Sequence, residues 1–101
     1  MGNRIIILDF KEVIGMNKIE MMLLMKFESP IIRLDKVCQE YFGCSKNTAK
    51  QRAKSGTLPI PAFRLGKSQK LPWMISIQDL AHFIEKNSNE AKKEWVGVIS
   101  E

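Results

Sequence analysis

Lys46, Lys50 and Lys54 stand four residues apart, so a helix over this segment would set three ammonium groups in one row. Asn47, Gln51 and Arg52 lie beside them. These types suit recognition of a polyanion: lysines neutralise phosphates, Asn and Gln pair with an adenine edge, and Arg pairs with guanine. Like charges at this spacing oppose an isolated helix, and a phosphate backbone removes that penalty. Ser45 and Thr48, at the start of the same segment, are candidate phosphate contacts, because free N–H groups at a helix start favour anions. The competing reading is a solvated helix whose lysines face water.

The charge distribution separates the two. The chain carries 16 Lys/Arg against 11 Asp/Glu, a formal charge of +5. Between Glu40 and Asp79 lie 38 residues without one acid, carrying Lys46, Lys50, Arg52, Lys54, Arg64, Lys67 and Lys70. That window is +7 and the remainder is −2. A solvated surface does not explain why acids vanish together through a whole segment, whereas a polyanionic partner does.

Other chemistries find less support. Cys38 falls on an apolar helix face and reads as core, and Cys38-x5-Cys44 without a nearby His is poor zinc spacing, so no metal site is expected. His82 has no Ser or Cys in a nucleophile motif beside it. Asp35, Glu40, Glu85 and Glu90 read as helix-surface charges, and Gly56 and Gly66 stand alone, outside any phosphate loop. Trp73 and Trp95 fall on expected packing faces. At 101 residues, 45% hydrophobic and 27% charged, one small core is affordable, while the deep cleft of most enzymes is not. The expectation is a binding protein with no cofactor, not an enzyme. No apolar run approaches a membrane span, no export signal is evident, and two cysteines with six methionines suit the reducing cytoplasm.

The elements that would position the basic residues follow from periodicity. Leu34, Val37, Cys38, Tyr41 and Phe42 recur at helical spacing opposite Asp35, Lys36, Gln39 and Glu40. Gly43 suits a left-handed stop, and Ser45 suits the N-cap of a second helix from Lys46 to about Ser55, ended by Gly56. Two short helices joined by such a turn form a helix-turn-helix. Thr57-Leu58-Pro59-Ile60-Pro61 is extended. Phe63-Arg64-Leu65 and Trp73 to Ile77 then read as strands of a hairpin, its tip carrying Lys67, Ser68, Gln69 and Lys70. Ser76 caps a last helix whose stripe runs Leu80, Ile84, Asn87, Ala91, Trp95, with a break expected near Asn87-Ser88-Asn89. Arg4 to Phe10 is β-prone, and Ile19 to Phe27 is assigned as a short strand ended by Ser29-Pro30.

The expected fold is therefore mainly α with a β-hairpin wing, an α+β winged helix-turn-helix. Residues 1–18 form an N-terminal extension, 19–95 the domain and 96–101 a tail. The DNA-binding set is Ser45, Lys46, Asn47, Thr48, Lys50, Gln51, Arg52 and Lys54 from the helix, with Arg64, Lys67, Ser68, Gln69 and Lys70 from the wing. Double-stranded DNA is the expected partner, with a homodimer through Trp95, Val96, Val98 and Ile99 because one small module reads few bases.

Leu23-Leu24-Met25-Lys26-Phe27, Ile32-Arg33-Leu34-Asp35-Lys36-Val37-Cys38, Tyr41-Phe42-Gly43, Thr48-Ala49, Gly56-Thr57-Leu58-Pro59-Ile60-Pro61, Phe63-Arg64-Leu65, Ser68-Gln69-Lys70, Asp79-Leu80 and Ala91-Lys92-Lys93-Glu94-Trp95 together resemble the pyocin activator protein PrtN family. The resemblance covers Leu23 to Trp95 and leaves Met1 to Gly15 outside. It implies a small DNA-binding transcriptional activator of bacteriocin or prophage genes, acting at repeated promoter elements with RNA polymerase as a further partner. The layout is also similar to small phage excisionases and AlpA-like regulators, so a DNA-bending excisionase is one alternative. A protein-interaction or RNA-binding adaptor using Met21 to Met25 is the other.

Overall fold

The structure, a computed structural model, describes residues 17–99, with side chains through 97. The β-prone run Arg4 to Phe10 and the side chains of Val98 and Ile99 lie outside the described residues. The element order is α1 (Lys18–Phe27), β1 (Ile31–Arg33), α2 (Leu34–Phe42), α3 (Lys46–Ser55), β2 (Met74–Ser76) and α4 (Ile77–Ile99). The expected mainly α fold with a small β component and a winged-helix layout is what the chain adopts.

Ile19 to Phe27 is helix, not the expected strand. Asn17 caps it, its Oδ1 accepting the Glu20 N–H at 2.7 Å, and Met and Leu are good helix formers. The helix ends at Glu28, which takes a left-handed φ of 55° and donates its N–H to the Leu24 carbonyl at 2.8 Å. α1 buries Leu23 and packs along α4, where Asn17 Nδ2 donates to Glu85 Oε2 at 3.1 Å. Met22 and Met25 face outward.

The sheet also differs from expectation. β2 pairs antiparallel with β1, in the register Ile31↔Ser76, Ile32↔Ile75 and Arg33↔Met74. Phe63 contributes a single bridge to Met74 on the other side of β2, so the hairpin is joined only at its base. Ile32 and Ile75 turn into the core with Leu34, Val37, Cys38, Ile60, Ile77, Leu80 and Ala81.

α4 starts at its Ser76 cap, whose Oγ accepts the Asp79 N–H at 3.0 Å. It runs unbroken through Asn87-Ser88-Asn89, since Asn and Ser lower helix propensity without removing a backbone hydrogen bond. Phe83 meets Phe42 edge to face, centroids 5.1 Å apart, and ties α4 to α2. Beyond Ser88 the helix leaves the core: Ala91 is exposed, as is Asn87 just before the divergence, and Trp95 is 66% exposed instead of packed. No helix among the described residues is long and apolar enough to cross a membrane.

Candidate nucleic-acid interface

α2 is anchored by Leu34, Val37 and Cys38, and burial pushes the Cys38 thiol pKa up, which keeps it protonated in the core. The chain then reverses through Gly43, whose φ of 63° is left-handed, and the Cys44 N–H just after it donates to the Cys38 carbonyl at 3.3 Å. Ser45 starts α3 as expected. Its Oγ accepts the Thr48 N–H at 3.1 Å and donates to Thr48 Oγ1 at 3.0 Å. Ala49 is buried and Ala53 half-buried against α2, so short side chains bring the helices together. Gly56, at φ 70°, closes α3 by donating its N–H to the Ala53 carbonyl. Lys46, Asn47, Lys50, Gln51, Arg52 and Lys54 are all exposed.

The segment 63–74 forms an arm. Its base is the Phe63–Met74 bridge, with N–H···O distances of 2.9 and 2.7 Å. At its tip the Ser68 carbonyl accepts the Leu71 N–H and the Ser68 Oγ accepts the Lys70 N–H, both at 3.2 Å. Gly66 leaves room there for Leu71: a Cβ on it would lie 2.9 Å from Leu71 Cδ1, the end of an exposed side chain that would have to shift. Lys67, Ser68, Gln69 and Lys70 are exposed.

Arm and helix enclose one cleft of ≈ 530 Å³. α3 lines it with Lys46, Asn47 and Lys50, the arm with Gln69, Lys70, Leu71, Pro72 and Trp73, and the start of α2 with Arg33, Leu34 and Asp35. Five of the expected site residues are thus brought together: Lys46, Asn47, Lys50, Gln69 and Lys70. Gln51, Lys54 and Lys67 stand on the exposed surface outside the cleft, and Arg52 faces a second groove beside residues 56–62. Ser45 and Ser68 are engaged as cap and turn, Thr48 is half-buried beside Ser45, and Arg64 lies over the Trp73 ring.

Arg33 and Asp35 were not among the expected site residues. They form a two-pronged pair, Nη2 to Oδ2 at 2.7 Å and Nε to Oδ1 at 3.2 Å, that neutralises the carboxylate facing the cleft. The remaining cleft charges, Lys46, Lys50 and Lys70, have no carboxylate partner among the described residues. Lys26 on α1 is the contrast. Its Nζ donates to Tyr41 Oη at 3.4 Å and lies 3.6 Å from Glu40 Oε1, and these two hold its pKa above the ordinary lysine value. A surface with unpaired cations converging on one cleft is complementary to a polyanion.

The family model of the pyocin activator protein PrtN matches residues 21–91. The chain belongs to the pyocin activator protein PrtN family. The match runs from within α1 to within α4 and takes in every residue that lines the cleft. Membership in the PrtN family gives the chain the role of a transcriptional activator. No curated protein and no solved structure matches it.

Proposed function

We propose that the chain is a cytoplasmic, sequence-specific double-stranded DNA-binding activator of bacteriocin or prophage genes, with no catalytic activity of its own. The observation that carries this reading is the shared cleft, where Lys46 and Lys50 of α3 face Lys70 of the arm. A major groove admits one α-helix. α3 enters it with Asn47, Gln51 and Arg52 toward base edges, while Lys46, Lys50 and Lys54 neutralise phosphates beside it. Ser45 and Thr48 hold the helix start close to the backbone. Lys67, Ser68, Gln69 and Lys70 of the wing meet the backbone or minor groove, contacts that position without reading sequence.

One module of this size reads few bases, so a second copy completes the site. The end of α4 is the proposed contact, since Trp95 and Val96 stand 66% and 58% exposed there. At the promoter, RNA polymerase is the further partner.

A binding titration across a salt series tests the reading. With ~5 phosphates neutralised, log affinity falls against log salt with a slope of roughly −4 to −5. A flat dependence defeats it. Lys67→Ala weakens cognate and random duplexes alike, whereas Gln51→Ala or Asn47→Ala relaxes the preference for cognate sequence.

A further inference from the structure

Next to the bridge that joins the arm's two legs, Arg64 and Trp73 face each other. Arg64 Cζ lies 4.3 Å from the centroid of the Trp73 ring. Arg64 is half-buried, and its Nε and the Trp73 Nε1 are both buried without a hydrogen-bond partner among the described residues. With neither donor paired, what joins the two side chains is the guanidinium carbon set over the indole ring, an attraction that strengthens as water is excluded.

The location of this contact gives it a lever. Trp73 lines the cleft, and its carbonyl accepts the N–H of Leu34, the first residue of α2, at 2.9 Å. Trp73 is therefore fixed to the helix-turn-helix, and Arg64 is stacked on Trp73. Residues 65–71 beyond the stack are all exposed. A single bridge leaves a two-stranded ribbon free to swing, because so short a ribbon is marginal in water.

We propose that Arg64 is a positioning residue of the interface: stacked on Trp73, it fixes the arm's angle over the cleft, places Lys67 and Lys70 for phosphate, and makes no phosphate contact itself. This rests on the DNA-binding reading, and it separates Arg64 from the other six bases of the acid-free window.

The test is a set of salt-series titrations on the full chain with cognate and random duplexes. Arg64→Ala lowers affinity for both duplexes, roughly three- to thirty-fold, the span from an exposed to a desolvated cation–π contact. Its log–log slope stays at the wild-type value, whereas Lys67→Ala makes the slope shallower by about 0.9. Arg64→Gln, which keeps a planar group without the charge, recovers part of the affinity at the wild-type slope. Hydroxyl-radical footprints of Arg64→Ala lose protection on the wing side and keep it on the α3 side, a split that general destabilisation does not produce.

A slope that falls for Arg64→Ala as it does for Lys67→Ala makes Arg64 a phosphate ligand and overturns the proposal, as does unchanged affinity. Should Arg64→Ala fail to fold, the slope of Arg64→Gln decides alone: a drop of about 0.9 overturns the proposal, and the wild-type slope upholds it. A wild-type chain without salt-dependent duplex binding overturns the DNA-binding reading and this inference together.

Discussion

α2 and α3 are neighbours of nearly equal length held in opposite ways. α2 buries Leu34, Val37 and Cys38 completely and packs Tyr41 and Phe42 beside them, so its apolar face holds it in place. Each such large side chain contributes about 1.5–3 kcal/mol when removed from water. α3 buries one alanine, and the lysines of its single row repel one another. It is held by its ends, by Ser45 and the glycines on either side, each end contributing about 1 kcal/mol. Stability therefore resides in the first helix and the proposed recognition surface in the second, and substitutions in one are expected to leave the other's property largely intact.

Leu34→Ala tests the first half of this contrast with the largest expected effect. It removes a side chain that is 2% exposed and lowers unfolding free energy by about 3 kcal/mol in a urea titration. The triple change Lys46→Ala, Lys50→Ala and Lys54→Ala does the reverse. The salt slope of binding becomes shallower by about 2.7, while the thermal midpoint holds or rises as two like-charge contacts disappear. A midpoint that fell as far as that of Leu34→Ala would break the comparison. Ser45→Ala lies between the two, costing about 1 kcal/mol by leaving the Thr48 N–H uncapped, and it weakens binding to cognate and random DNA through fraying of the helix start. Lys50→Ala alone is the smallest change to the fold: stability stays within about 0.5 kcal/mol, and the slope shifts by about 0.9.

The same contrast governs how much of the molecule is legible in its sequence. α2 shows itself through apolar periodicity and α3 through its cap and stop, all signals contained within a dozen residues. The cap of α4 at Ser76 is of the same kind. The Asn17 cap of α1 was equally local, but the Met-rich run after it lacks a polar face and reads as readily as strand. β1 is three residues between a proline and a helix, and its partner is β2, more than forty residues later, so no local pattern announces it. The Trp95 stripe misleads for the converse reason: helical spacing continues after the core has ended. In the candidate interface, residue type and charge located the lysines and amides. The Arg33–Asp35 pair depends on how β1 turns into α2, and the Arg64–Trp73 contact on how the arm's two legs meet at their bridge, neither of which charge or helical spacing encodes.

The pairing of β1 with β2 has a consequence for a chain still being synthesised. Every residue of the candidate interface is strung between Ile31 and Ser76, and the Ile77 N–H clasps the Pro30 carbonyl just outside, at 2.9 Å. α2 and α3 can nucleate early, but the strand that closes the loop, and the Leu80 and Ala81 that seal the core behind it, are made later than both helices. A product terminated before Met74 contains the whole of α3 and lacks the platform that presents it. The helix that carries the row of lysines is thus complete well before the strand that anchors its surroundings, and the cleft takes shape only once β2 has paired with β1.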